Sequence, residues 1–224
     1  MIESNVKKLL EEIPATNPFG EKVTLVAAVK TQSAESINRA VRAGITDIGD
    51  NHAQEFKDKF NDICGHPVRH FIGHLQTNKI KYLLGKVDLY HSVDRLSLAR
   101  ELSAKSVRAN VTSDILLQIN IGREESKGGF DPDGAESAYA AVKQLPNLKT
   151  AGLMAMLPDT DDKGELKRLA LQMRAIFDKL KSADGNITYL SMGMSGDWKL
   201  CIECGSNMVR LGTAIFGERN YSKT

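Results

Sequence analysis

A chain of 224 residues holds one sizeable core and is short for two. Its 42% hydrophobic and 26% charged residues are ordinary for a globular protein, and a net charge of +2 with scattered Lys and Arg leaves no basic stripe for nucleic acid. No apolar run of about 18 residues exists to span a membrane, and Met1 to Pro14 carries charges where a signal peptide needs an apolar stretch, so we expect a cytoplasmic protein.

Ile2, Val6, Leu9, Leu10 and Ile13 recur at helical spacing, and Pro14 with Asn17-Pro18 ends this opening helix. A strand–helix rhythm follows. Val23 to Val29 is the first predicted strand, and Ala34 to Ala43 is its helix, closed by Gly44. Ile45 to Gly49 is the second strand, followed by a helix from Ala53 to Phe60. Arg69 to Ile72 is the third, with a helix running to Leu84 and broken at Gly85. Val87 to His91 is the fourth, and Asp94 reads as the cap of a helix from Arg95 to Val107. Asp114 to Asn120 is the fifth, with Gly134 to Lys143 helical; Leu148 to Met154 is the sixth, with a long amphipathic helix from Glu165 to Lys181. Thr188 to Leu190 and Met208 to Leu211 are the last two strands, separated by a helix from Asp197 to Glu203. Eight strands alternating with helices, and no linker or low-complexity segment, predict a single (β/α)8 TIM-barrel domain over residues 1–224, with an extra N-terminal helix. An open doubly wound sheet is the alternative, but no dinucleotide fingerprint follows any strand.

The first strand runs straight into Lys30. A lysine amine attacks carbonyls only when deprotonated, which a desolvated site favours; the plainer reading is a lysine snorkelling into solvent. Active sites of such barrels form from the loops after the strands, commonly with a phosphate after strands seven and eight. Ser191 to Gly196 follows strand seven and opens a helix, and Gly212 to Gly217 follows strand eight. Glycines admit close amides, hydroxyls add donors and a helix start adds a favourable dipole, so Ser195, Gly212 and Thr213 read as an anion cradle. Asp50-Asn51-His52, Gly73-His74 and His91-Ser92 collect at other strand ends, although Asn51 also suits a helix cap. Arg210 lies on strand eight itself, where a charge needs a partner or a ligand. Cys201 and Cys204 form a C-x-x-C late in a helix with no second pair nearby, so they read as buried thiols, and no metal site is expected.

A lysine, a phosphate cradle and a strand-eight arginine together suit pyridoxal 5′-phosphate, with its aldehyde, phosphate and ring nitrogen. An arginine facing that nitrogen disfavours its protonation and makes the ring a poorer electron sink.

The stretches LVAAVKT (Leu25 to Thr31), HFIGHLQTNK (His70 to Lys79), HSVDRLSLAREL (His91 to Leu102), EESKGG (Glu124 to Gly129), LSMGMSGDW (Leu190 to Trp198) and IECGSNMVRLGTAIFGER (Ile202 to Arg219) carry a resemblance over nearly the whole chain. It resembles the pyridoxal phosphate homeostasis, or proline synthase co-transcribed, family, which is similar in fold to the alanine racemase barrel. The resemblance implies an aldimine at Lys30, Ser195, Gly212 and Thr213 at the phosphate, Arg210 at the pyridine nitrogen, and Asn51 and His74 beside the ring. Asp50-Asn51-His52 stands where the family usually has Glu-Asn-Arg, so contacts from residues 50 and 52 do not carry over. Ala28-Val29-Lys30 stands where a serine often precedes the lysine.

The function expected is intracellular pyridoxal phosphate homeostasis, as carrier or buffer, without catalytic turnover. We expect a monomer that touches neither nucleic acid nor membrane and whose partners are the cofactor and apo-enzymes that use it. An amino-acid racemase is the alternative. It needs acid–base groups on both faces of the substrate carbon, and the second group of alanine racemase comes from a C-terminal domain that a chain ending at Thr224 is not expected to have. Tyr221 is the one tail residue that would have to stand in for it. A Schiff-base aldolase is disfavoured by the motifs.

Overall fold

In the computed structural model, which describes residues 1–217, eight parallel strands close on themselves in chain order. Arg219 and Tyr221 lie outside the described residues. The strands are β1 (Thr24–Ala28), β2 (Asp47–Asp50), β3 (Val68–Phe71), β4 (Leu89–Val93), β5 (Ser113–Ile119), β6 (Leu148–Ala155), β7 (Tyr189–Ser191) and β8 (Met208–Leu211). β8 pairs with β1, Val26 opposite Arg210 and Ala27 opposite Leu211. That pairing turns an open sheet into a (β/α)8 barrel. The helices are α1 (Ile2–Glu12), α2 (Ala34–Arg42), α3 (Ala53–Lys59), α4 (Ile80–Leu83), α5 (Leu96–Ala109), α6 (Ala135–Lys143), α7 (Lys163–Ala183), α8 (Trp198–Glu203) and α9 (Thr213–Phe216).

Successive strand residues face opposite ways. Val26, Leu89, Leu116, Ala151, Met154 and Met208 cluster in the lumen, while Leu25, Ala27, Ile48 and Leu211 pack outward against the helices. α1 buries Ile2, Val6 and Leu9 and packs on α2 and α9. It is tied there by Asn5, whose Nδ2 donates to the Ile215 carbonyl at 3.0 Å, and by Glu3, which takes Arg39 Nε and Nη2 at 2.7 and 2.8 Å.

The predicted helix leading to Leu84 is a 3-10 turn (Thr77–Lys79) followed by α4, a single turn. Only Ile80 and Leu83 of that turn are buried, too few apolar positions to anchor a longer helix. Cys201 and Cys204 are buried free thiols at the end of α8, and burial pushes the Cys201 thiol well up, which makes it inert. Among the described residues no helix is long and apolar enough to cross a membrane.

Candidate functional site

β1 ends at Ala28, so Lys30 stands just beyond the ladder, half-buried. The next residue holds it there. Thr31 adopts φ +64°, a left-handed backbone that a β-branched residue rarely takes. Its amide donates to Glu55 Oε2 at 2.9 Å, and its hydroxyl donates to the Lys30 carbonyl at 2.6 Å. Glu55, on α3, also meets His52 Nδ1 at 2.7 Å and Lys59 Nζ at 3.0 Å. Burial works to raise its carboxyl, but His52, the Thr31 amide and Lys59 outweigh that and hold it at about 2. A carboxylate charged at every physiological pH thus pins a turn whose strain is of order 1–3 kcal/mol. With Glu55 engaged by His52 and Lys59, Lys30 Nζ pairs with no acid among the described residues.

Lys30 shares a small cavity with Gln32, Gly212, Thr213 and Phe216. Thr213 Oγ1 donates to Ser195 Oγ at 2.9 Å, which joins the loop after β7 to the loop after β8. A Cβ on Gly212 would come within 3.3 Å of the Ala28 carbonyl, so this backbone lies directly on the end of β1. The amides of Ser195, Gly196 and Gly212 donate to no other group among the described residues. The acid nearest in sequence, Asp197, instead accepts from the Met194 amide at 2.6 Å. α8 starts only at Trp198 and α9 is one turn long, so the expected helix-dipole contribution gives way to individual amides and hydroxyls as the source of anion affinity.

Asn51 and His74 line a neighbouring cavity of about 290 Å³ with His52, Gln76 and Lys79. Asn51 does not cap α3, whose N-cap is His52; its Oδ1 is buried without a partner among the described residues. The ends of β2 and β3 lie so close that a Cβ at Gly73 would collide with the Asn51 carbonyl. His74 is largely exposed, with Nδ1 3.3 Å from Asp94 Oδ2. Asp94, expected as a helix cap, does not cap. It turns to His74 and to Arg95 Nη1, 2.5 Å away, and α5 begins with Arg95 as N-cap and no side-chain bond.

Arg210 faces the lumen from β8 and is 5% exposed. Its Nη1 donates to Ser191 Oγ at 2.5 Å and its Nη2 to the Ala155 carbonyl at 3.0 Å. Burial pulls its pKa down to about 10 against the opposing pull of Cys201 and Asp197, so it stays charged at neutral pH. Behind Ser191 stand His91, His70 and Asp47, each within hydrogen-bond distance of the next. Sequence reading picked out His91 as one strand-end residue among several and missed this set. The signal was parity, since each occupies an inward position of its strand.

Asp50, at the end of β2, faces the other way and is 4% exposed. Burial raises its carboxyl to about 6 despite the pull of Lys59 and Arg69. The unfolded value is near 4. The folded state therefore holds the proton more tightly, and stability is lost as pH rises from about 4 through about 6. Two pKa units correspond to roughly 3 kcal/mol as an upper figure. Asp50→Asn is expected to be more stable than the parent by ~1–3 kcal/mol at pH 7.5 and by little at pH 4, read by urea unfolding. Equal gains at both pH values would show that ionisation of Asp50 carries no cost.

The alanine racemase N-terminal-domain family model matches residues 2–220. The pyridoxal phosphate homeostasis protein of Aquifex aeolicus is 39% identical over 199 residues, which cover 88% of this chain and 87% of that protein. The protein of the same name from Pasteurella multocida is 37% identical over 227 residues, covering 99% and 96%. The solved structure of PipY from Synechococcus elongatus with PLP bound aligns with a TM-score of 0.83 at 28% identity, covering 97% of this chain and 100% of PipY.

Proposed function

The chain belongs to the alanine racemase N-terminal-domain family, among the pyridoxal phosphate homeostasis proteins, and from that premise we propose that it binds pyridoxal 5′-phosphate. The observation that carries the reading is the cavity shared by Lys30, Gly212 and Thr213, with the Ser195 hydroxyl bonded to Thr213 beside it. An amine without an acid partner and a set of unengaged donors, among the described residues, fit an aldehyde and a phosphate. When bound, the cofactor supplies an aldehyde that links to a primary amine and a ring that withdraws electrons. Lys30 would provide that amine. Ser195, Thr213 and the Gly212 amide would hold the phosphate, and Asn51 and His74 would lie beside the ring.

Arg210 would face the ring nitrogen. It spends two of its N–H donors on Ser191 and Ala155 and keeps the others. A guanidinium offers only donors and positive charge, so it would keep that nitrogen unprotonated and the ring a weak electron sink.

We assign the protein the role of a cytoplasmic carrier or buffer, acting as a monomer and passing its cofactor to apo-enzymes. Racemisation needs acid–base groups on both faces of a carbon. Lys30 can serve one face; of the other residues proposed beside the ring only His74 is an acid–base group, and it is largely exposed with Nδ1 turned to Asp94 Oδ2 at 3.3 Å. Loaded protein is expected to restore activity to an apo-enzyme, and to leave a panel of amino acids unchanged in chirality and amount over a long incubation. Multiple turnover near 1 s⁻¹ or faster, lost in Lys30→Ala, would overturn the carrier and establish the racemase.

A further inference from the structure

The lumen is packed at mid-height with Val, Leu, Ala and Met, yet one line of polar groups crosses it. It starts at Asp47, the first residue of β2, which lines a cavity of about 240 Å³ at the N-terminal face together with Lys22 and Thr46. It ends at Arg210. Between them stand His70 on β3, His91 on β4 and Ser191 on β7.

One direction of donation satisfies both ends. A guanidinium only donates, so Arg210 Nη1–H goes to Ser191 Oγ. The Ser191 hydroxyl then turns its own hydrogen to His91 Nδ1, 3.1 Å away. From the other end, an ionised carboxylate only accepts, so His70 presents Nε2–H to Asp47 Oδ1 at 2.9 Å. In that direction His70 Nδ1 accepts from His91 Nε2–H at 2.9 Å. This direction of donation places the proton that each imidazole passes along the line on its Nε2. His91 is wholly buried, and burial, followed by His70 and Arg210, pushes its pKa well down, which keeps it neutral. Burial also works against ionisation of Asp47, but the hydrogen bonds from His70 and Thr46 outweigh it and hold the carboxyl below its usual value. Among the described residues Arg210 forms no ion pair with an adjacent acid; Asp197 attracts it through space, and Asp47 is the carboxylate to which this line of side chains joins it.

We propose that Asp47, His70, His91 and Ser191 form an oriented hydrogen-bond relay that positions Arg210 and joins it, through side chains, to the Asp47 carboxylate two strands away. The relay fixes the roll of the guanidinium, because Ser191 holds one amino group and the Ala155 carbonyl the other. Its effect on a ring nitrogen rests on the cofactor reading above; its orientation does not. All four are positioning residues that act through Arg210. A plug for the lumen would ask for none of them, since apolar side chains fill it elsewhere.

Two measurements test this separately. In cofactor-free protein labelled with ¹⁵N-histidine, long-range ¹H–¹⁵N spectra at pH 7 should show His70 and His91 neutral, with Nε2 protonated and Nδ1 bare. An Nδ1–H or doubly protonated state at either would overturn the relay. In Asp47→Asn the amide can donate as well as accept, so the single tautomer at His70 should give way to a mixture, and Asp47→Glu should restore it. Unchanged tautomers in Asp47→Asn would also overturn it. In protein loaded with pyridoxal phosphate, Asp47→Asn and Ser191→Ala should shift the visible absorption band relative to the parent, with Asp47→Glu returning it and with Lys30 still labelled on borohydride reduction. An unshifted band with the label in place would show that the relay stops short of the ring, and would overturn its role there. Absence of any label in the parent would overturn the cofactor reading, and the tautomers would still decide the relay. Asp47 lies at an open cavity, so its variants remain informative if Ser191→Ala does not fold.

Discussion

Lys30→Ala is expected to lose every borohydride-stable attachment of pyridoxal phosphate, together with the visible absorbance of the loaded protein. In the parent, reduction and peptide mapping should place the pyridoxyl group on Lys30. The geometry separates this lysine from its competitors. Lys127 Nζ is committed to Glu124 at 2.5 Å and to the Leu157 carbonyl at 3.3 Å. Lys79 lines the Asn51–His74 cavity, with its Nζ 5.7 Å from the centre of the Tyr82 ring. Lys30 alone of the three shares a cavity with Gly212 and Thr213. Its backbone is also held, through Thr31 and the Glu55 carboxylate. An amine that must meet an aldehyde beside a fixed phosphate gains from such pre-positioning, because the entropy of alignment is removed in advance. A label found mainly on Lys79 or Lys127, or undiminished in Lys30→Ala, would remove Lys30 from this role.

What was legible in the sequence follows from which signals are local. β8 was read as Met208 to Leu211 and is that; β1 was read as Val23 to Val29 and is Thr24–Ala28, its ladder with β2 closing at the bond from the Val29 amide to the Gly49 carbonyl. Apolar runs between glycines mark buried parallel strands well. The convergence of Lys30, Ser195, Gly212 and Thr213 was legible because loops that follow parallel strands emerge at one face of a barrel. Asp94 was misread for the opposite reason. A cap signal is local, but the bonds that divert Asp94 come from His74 on the preceding loop and from Arg95. The relay was missed because strand parity marks its members as inward-facing but not as neighbours. Asp47, His70, His91, Ser191 and Arg210 sit on five strands, and only barrel closure and the inward parity of each strand make them neighbours.

The second large effect concerns the cradle. Ser195→Ala combined with Thr213→Val removes both hydroxyls while leaving the Gly212 amide in place. Hydrogen bonds to a charged group contribute roughly 1.5–3 kcal/mol each. Both side chains are exposed, which favours the low end, and they bond to each other at 2.9 Å, so their contributions will not simply add. A combined loss of about 2–3 kcal/mol is expected, a weakening of pyridoxal phosphate binding by roughly 30- to 150-fold. Unphosphorylated pyridoxal reaches Lys30 without using the cradle, so its affinity should change by less than about threefold, under 1 kcal/mol. Titration of both ligands into parent and variant, followed by absorbance, gives the comparison directly. The contrast between them is the informative quantity, because a general distortion of the loops after β7 and β8 would weaken both alike. Equal losses would show that Ser195 and Thr213 shape the mouth of the barrel without holding a phosphate in it.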